Sequence, residues 1–419
     1  MNHKKILFVT HLFYPARGGV ETHLHRLSQE LAKRGYEIKV LTTNAFSTEA
    51  FFLNDKRRID KNREIIDSIK VERLGFRTFG RRTLNVLRSL ACRIKYPFNS
   101  WIRTYSYGPR NPSFYKQIIE IKPDIILAAP LPTFNIYYAW KGAKKLKIPF
   151  IINPAFHIHD PCSFHNPVFF RMMRDADLIA VHSDKEKNYI AEQAGISLQK
   201  IKVFPPLPFE KDDLSTSDSF LNKHAIKKKY KIEQKFVLLF LGQHGRHKNI
   251  QGILKAMPQI WDHCPDTALV IAGATTAHTP ILKKIHACMD PNHKHKVYFF
   301  DNFHKKEKMN FYNMADVFIS LSDYESFGIV FAEAMLHNLP VVASVCGIAD
   351  SVIKDFQTGL LVNPHCREEV AGAVIELLLD DAIRKTYGTN GRRAVINRYD
   401  PEAILMHWEQ SLTALQRSY

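Results

Sequence analysis

Residues 322–335 read SDYESFGIVFAEAM and place two carboxylates, Glu325 and Glu333, eight residues apart around a Phe327-Gly328 step. If a helix opens at Phe327, directly after a strand ending near Leu321, then the unbonded amides of Phe327, Gly328, Ile329 and Val330 and the positive helix end form an anion site. Gly328 lets a phosphate approach the backbone more closely than a side chain would allow. On one helix the two carboxylates stand about 12 Å apart, so they hold opposite ends of an elongated ligand rather than one atom. Ionised carboxylates only accept hydrogen bonds and suit sugar hydroxyls, whereas the amides between them suit phosphate. The combination fits a nucleotide sugar: hexose at one end, ribose at the other, diphosphate in the middle. The interval alone decides nothing, because Glu64/Glu72 and Glu368/Glu376 repeat it. A solvated loop glutamate and a helix-surface glutamate give the same spacing.

Such a site needs a strand to deliver the loop and a helix to receive it. The first half of the chain offers a strand at Lys5 to Thr10, then Val20, Leu24, Leu27 and Leu31 at helical spacing, with Gly35 as a stop. Further short apolar runs follow at Ile38 to Thr42, Asp124 to Ala128, Pro149 to Asn153, Asp177 to Val181 and Ile201 to Phe204. Continuous apolar strands alternating with helices mark parallel sheets covered on both faces. The pattern lapses over residues 206–235, rich in proline, serine and charge, which reads as a linker. It restarts with strands at Phe236 to Leu241, Ala268 to Ala272, Val297 to Phe300, Val317 to Leu321, Val341 to Ser344 and Leu360 to Val362. Two doubly wound domains in tandem follow. Ligands bind outside the carboxyl ends of such strands, which puts the expected site in the cleft between the domains.

Composition sets the partners. Of 419 residues, 45% are hydrophobic and 24% charged, an ordinary globular balance with room for two domains. The apolar run near the N-terminus is only strand-length and lacks a cleavage site, and Ile125 to Trp140 is too short to span a bilayer, so no secretory or membrane-spanning segment is expected. Six scattered cysteines without a Cys-x-x-Cys read as reduced cytosolic thiols. A formal net charge of +18 calls for an anionic partner. From Arg73 to Lys116 there are ten Lys or Arg, no Asp or Glu, and nine aromatics, a segment able to lie on an anionic headgroup layer. Arg81, Arg82, Arg88, Arg93 and Trp101 are the expected membrane contacts, with an ordinary solvated basic face as the alternative. Nucleic acid is not expected as a partner, because the chain lacks zinc-finger spacing and an RNP-type strand.

The stretch SDYESFGIVFAEAMLHNLPVVAS resembles the Glu-x7-Glu signature of retaining glycosyltransferases of family 4. Gly18-Gly19-Val20-Glu21 is similar to that family's glycine-rich turn, Leu241-Gly242 through Lys248 to its phosphate-binding loop, Ala272-Gly273 to its next strand end, and Gly359 to Pro364 to its C-terminal strand. The resemblance implies the α/β GT-B architecture: two Rossmann-like, doubly wound parallel-sheet domains facing each other across a cleft. Residues 1–205 would bind the acceptor and residues 236–395 the nucleotide sugar, while a helix in 396–419 packs back on the first domain. It also implies Glu325 near the donor sugar and Glu333 on the ribose. Lys248 would neutralise the diphosphate, with Gly18 and Gly19 brought onto the donor phosphates, and His157 would orient the sugar. The co-substrate is expected to be a UDP- or GDP-sugar, with no metal or other cofactor. Two features depart from the family pattern. Gln243 stands where members commonly carry Arg, leaving Arg246 to supply that charge from the same loop, and PPLPF at 205–209 replaces the usual Asn-Gly hinge turn.

Rival signals are accounted for more plainly. Asp175-Ala-Asp177 has the spacing of a metal-binding Asp-x-Asp but precedes a strand, and Asp177 reads as a strand entrance. His157-Ile-His159 and His293-Lys-His295 lack a third ligand, although His159 remains a rival to His157. The expectation is thus a cytoplasmic hexosyltransferase, retaining and metal-independent, peripheral on the inner membrane face. It would act on a hydroxyl of a glycan or lipid-linked acceptor in polysaccharide, lipopolysaccharide or glycolipid assembly. The alternative is a catalytically weak or inactive protein of the same fold, serving as a membrane-docked scaffold that binds sugar nucleotides.

Overall fold

The computed structural model describes residues 4–16, 18–52, 56–77, 81–94, 99–207, 222–325, 328–345 and 349–417. The chain divides into two compact units, Met1–Leu207 with Glu402–Tyr419, and Pro208–Pro401. Unit 1 is built on β1 (Lys5–Thr10), β2 (Glu37–Thr43), β3 (Arg63–Ile66), β4 (Ile69–Leu74), β5 (Ile125–Ala129), β6 (Phe150–Ile152), β7 (Leu178–Val181) and β8 (Ile201–Val203). Their order across the sheet is β3-β4-β2-β1-β5-β6-β7-β8. Neighbouring strands are parallel except β3, which runs antiparallel to β4 at the edge.

Burial on both faces explains the apolar runs. Every residue of β5 is buried, and the helix Gly19–Lys33 lays Leu24, Leu27 and Leu31 against the sheet with almost no exposure. Each such leucine stabilises the fold by about 1.5–3 kcal/mol relative to an exposed one. The edge hairpin β3–β4 was not anticipated. Charged residues break up its apolar run, because β3 is half exposed and β4 buries Glu72 and Arg73 as paired charges.

Unit 2 carries β9 (Phe236–Leu241), β10 (Thr267–Gly273), β11 (Val297–Asp301), β12 (Val317–Ser320), β13 (Val341–Ser344) and β14 (Gly359–Val362), in the order β11-β10-β9-β12-β13-β14 and wholly parallel. The chain winds outward in both directions from a central pair, β9/β12 here and β1/β5 in unit 1. The crevice outside the carboxyl ends of that pair is where such sheets bind ligands. Part of the stretch read as linker is helical, at Lys223–Lys229. The helix Pro401–Arg417 delivers Trp408, fully buried, onto the Phe204 ring at 4.0 Å, and Lys202 Nζ donates to Ser411 Oγ at 3.0 Å. Among the described residues no helix is long and apolar enough to cross a membrane.

Candidate active site

In unit 2 the loops leaving β9 and β12 meet across the switch point. The β9 loop turns through a short 3-10 segment, Arg246–Lys248, and Asn249 then caps the helix Ile250–His263 by accepting from Gly252 N at 3.2 Å. His244 is buried beneath it, its carbonyl accepting from Thr276 Oγ1 at 2.7 Å. The β12 loop is tied on by Asp323 N donating to His247 O at 2.8 Å and by Tyr324 stacked on the His247 ring at 4.9 Å. Gly273, ending β10, packs so closely that a Cβ there would lie 1.6 Å from the Gly242 carbonyl oxygen. These contacts fix where the β9 loop can sit.

Lys248 and Glu325 come together at this junction as a hydrogen-bonded ion pair, and Ser322 Oγ donates to the same carboxylate oxygen at 2.9 Å. Burial pushes the Glu325 carboxyl up, but the charge and hydrogen bond of Lys248, with His247 and Ser322, outweigh it, so the group lies below its ordinary value. Arg246 is exposed on the same turn, its charge reaching His278 and Asp323. Phe327 lies outside the described residues. The following helix begins at Ile329, with Gly328 as its N-cap at φ 73. That left-handed backbone favours glycine, and a Cβ would also meet the Phe331 ring at 2.4 Å. The helix thus starts later than Phe327, and Glu325 stands in the loop ahead of it rather than on its first turn.

Glu333 lies farther along this helix and is 5% exposed. Lys308 Nζ reaches one of its oxygens at 2.6 Å and Tyr312 Oη donates to the other at 2.9 Å. Neither partner was visible in the sequence, since both precede Glu333 by more than twenty residues and belong to no recognisable spacing. Ile329 and Val330, at the helix start, are half-buried.

In unit 1, Gly18 and Gly19 follow β1 and open the helix Gly19–Lys33. A Cβ on Gly19 would meet nothing within 4 Å, so no protein atom requires a glycine there. His157 follows β6, partly buried, with its ring edge-on to Phe164 at 5.0 Å, whereas His159 is exposed. The backbone just before His157 is anchored by Glu186, which accepts from Phe156 N at 2.8 Å and His182 N at 2.7 Å. Arg81, Arg82, Arg88 and Arg93 lie on the helix Arg81–Ile94; Arg93 is exposed, and the side chains of the other three are outside the described set. Trp101, on the next helix, is 43% exposed.

Not every arginine of residues 73–116 faces outward: Arg73 is buried against Glu64 and donates to Tyr14 O at 2.6 Å, and Arg110 is 6% exposed. Asp175 and Asp177 have structural work. Asp175 binds Trp140 Nε1 at 3.1 Å and Lys144 Nζ at 2.7 Å, and Asp177 accepts from Phe150 N at 2.8 Å. Among the described residues no three His, Cys, Asp or Glu gather as a metal site would need.

Two family models match in tandem, one described as Glycosyltransferase Family 4 over residues 17–207 and one as Glycosyl transferases group 1 over residues 222–394. The chain belongs to glycosyltransferase family 4. Its relatives include an uncharacterized glycosyltransferase of Methanocaldococcus jannaschii, 32% identical over 40% of this chain. Another is a capsular polysaccharide biosynthesis glycosyltransferase of Staphylococcus aureus, 25% identical over 45% of it. The chain spans about half the length of the curated relatives it matches, 42% and 49% for these two. The fold of the chain is GT-B. Anabaena HepE, solved with UDP and glucose, superposes over 98% of this chain and 100% of its own with a TM-score of 0.69 at 19% identity.

Proposed function

We propose that this protein transfers a hexose from a nucleotide diphosphate sugar to a hydroxyl of a glycan or lipid-linked acceptor, with retention of configuration and without a metal. The observation that carries the reading is the Lys248–Glu325 pair beside the Gly328 helix start, at the switch point of unit 2. A cation, a carboxylate and free helix amides at one crevice match the diphosphate, the sugar hydroxyls and the link between them. Anabaena HepE binds UDP and glucose, and the S. aureus relative is named for polysaccharide assembly, which supports a nucleotide sugar and a glycan acceptor.

In this reading the bond between the anomeric carbon and the diphosphate oxygen breaks, and charge developing on that oxygen is stabilised by Lys248, Arg246 and the amides from Gly328 onward. The acceptor oxygen bonds to the anomeric carbon on the face the diphosphate leaves, and its proton passes to the departing phosphate. Glu325 exchanges part of its contact with Lys248 for the sugar, and His157 orients the same sugar. Glu333, already oriented by Lys308 and Tyr312, accepts from the ribose. No carboxylate nucleophile is required.

Thermal-shift titration with UDP-, GDP- and ADP-sugars tests the donor, because a ligand of the native state raises the melting temperature with occupancy. One sugar nucleotide should stabilise the protein and release nucleoside diphosphate when acceptor is added, with EDTA present and the anomeric configuration kept. No shift with any of them would overturn the reading. Gln243 at the position where family 4 members commonly carry Arg favours a second reading, a sugar-nucleotide-binding scaffold, which donor stabilisation without nucleoside diphosphate release would establish.

Attachment to the inner face of an anionic membrane is part of the proposal. The helix Arg81–Ile94 exposes Val86, Leu87 and Leu90 alongside Arg93, and Trp101 and Tyr105 are exposed on the helix that follows. Charge reversal at Arg81, Arg82, Arg88 and Arg93 should abolish sedimentation with anionic liposomes. Unchanged sedimentation would reject attachment through this helix.

A further inference from the structure

The helices Ile250–His263 and Thr279–Ala287 of unit 2 pack side by side, and with the first residue of the helix Arg367–Leu379 they line a groove of about 590 Å³. A surface helix needs one apolar face, turned to the core. The helix Thr279–Ala287 meets that need with Leu282, which is fully buried. It carries a second apolar series, Ile281, Ile285 and, at its C-cap, Cys288, spaced i, i+4 and i+7, and this series lines the groove. Ile281 is left 51% exposed. The facing helix contributes Leu254 and, one turn on, Pro258, whose ring brings no amide to the Leu254 carbonyl.

The charges around this floor are of one sign. Lys255, Lys284 and Arg367, one from each helix, line the groove and are exposed, and among the described residues their side chains have no ion-pair or hydrogen-bond partner. Lys283, next along the chain from Lys284, is by contrast spent on Asp301. Among the described residues no carboxylate lines the groove. The acidic residues nearest in sequence have other partners: Glu368 accepts from Cys366 Sγ at 3.7 Å, Glu369 from Asn363 N at 2.9 Å and Asp290 from Asn292 N at 2.8 Å. An apolar floor beneath free cations has the chemistry of a receptor for an anionic amphiphile, with hydrocarbon on the floor and phosphate on the rim. Size selects a lipid over a protein. The volume is that of a small-ligand pocket, and nine lining residues fall well short of the roughly 20–30 that a standard protein interface uses on each side.

We propose that this groove binds one anionic phospholipid, its acyl chain along Leu254, Pro258, Ile281 and Ile285 and its phosphate among Lys255, Lys284 and Arg367. The site uses no residue of the helix Arg81–Ile94 or of the Lys248–Glu325 pair, so it stands or falls independently of the donor and attachment readings.

The test titrates the full chain, at constant ionic strength, with monomeric dihexanoyl phosphatidylglycerol, dihexanoyl phosphatidylcholine and glycerol 3-phosphate. Calorimetry follows binding, and the rate of iodoacetamide labelling is compared at Cys288 and Cys162, both exposed. Phosphatidylglycerol should bind at least about tenfold more tightly than either of the others, and it should slow labelling of Cys288 while leaving Cys162 unchanged. Ile281→Glu should remove at least about tenfold of that affinity. Lys255→Gln combined with Lys284→Gln should bring phosphatidylglycerol down to the level of phosphatidylcholine. All three positions are exposed, so the variants keep their melting temperature, and the labelling comparison needs no variant at all. Binding that survives Ile281→Glu and vanishes in Leu87→Glu belongs to the helix Arg81–Ile94 and overturns the proposal. Equal binding of glycerol 3-phosphate or of phosphatidylcholine overturns it as well, as does unprotected Cys288. Absence of lipid binding would assign the groove to an acidic protein partner instead.

Discussion

At the switch point of unit 2, Glu325 and Glu333 each face a lysine, and Glu325 is held below its ordinary range although burial opposes it. Beside the switch point of unit 1, Glu21 instead lies 3.6 Å from His11, and burial raises the Glu21 carboxyl to about 7 while lowering the histidine to about 3. His182 falls to about 4 and Glu186 rises to about 7, again mainly through burial. The two sheets share a winding order yet manage charge differently. Unit 2 keeps paired charges at its switch point, whereas unit 1 neutralises Glu21 and His11 beside its own and confines its buried ion pairs to the β3–β4 edge. On the proposed reading, a region that exchanges partners with a diphosphate benefits from ready-made ions, and one that receives an acceptor benefits from a neutral base.

The largest effect that could break this contrast is on turnover. Glu325→Gln should lower kcat by roughly 10²- to 10³-fold while changing donor Kd far less, since on the proposed reading it removes a group used at the reacting sugar. Equal losses in both constants would make Glu325 a binding residue only. Lys248→Met should cost about 10- to 100-fold in both donor affinity and turnover. It should also move the acidic limb of the pH–rate profile upward, because the burial that raises the Glu325 carboxyl is left unopposed by Lys248. An unmoved limb would mean that the pair does not tune the carboxylate.

Unit 1 should respond in stability instead. With the folded pKa of Glu21 raised from 4.5 to about 7, its contribution is fully present below the unfolded value and is lost as pH rises through about 7. Urea unfolding between pH 5 and pH 8 should show a loss of up to about 3 kcal/mol from this group, and Glu21→Gln should flatten that part of the curve. Because buried His11 and His182 contribute with the opposite slope, the readout is the difference between the wild-type and Glu21→Gln curves, and a difference that does not fall with pH would place a charged glutamate in the interior. The smallest effects compare two glycines. Gly328→Ala should destabilise by about 1–3 kcal/mol, through its positive φ and the Phe331 ring. Gly19→Ala should stay within about 1 kcal/mol in melting experiments, since its Cβ enters open space.

Much of this architecture was legible in the chain. Runs such as ILFVT and FVLLFL mark central parallel strands because both sheet faces are covered and hydropathy alone signals them. The hairpin of Arg63–Leu74 escaped notice because its buried members include Glu72 and Arg73, whose burial depends on Lys39, Arg63 and Glu64. Counting arginines between residues 73 and 116 likewise could not separate Arg73, inside an ion pair, from Arg93 on the surface. In the candidate site the sequence pointed to Lys248 and Glu325 through motif resemblance, but their mutual contact closes a gap of 77 residues. The roles of Lys308 and Tyr312 exist only once helix Lys308–Met314 is packed beside Glu333.

The sequence of unit 1 breaks off at Leu207 and resumes at Glu402, so unit 2 is an insertion in it. On the ribosome, β8 and the Phe204 ring therefore emerge long before Trp408 arrives to cover them. The nascent first unit waits through nearly two hundred residues of synthesis with an apolar edge uncovered. A message cut short before Trp408 would then yield a product that chaperones retain, even with every residue of unit 2 already made.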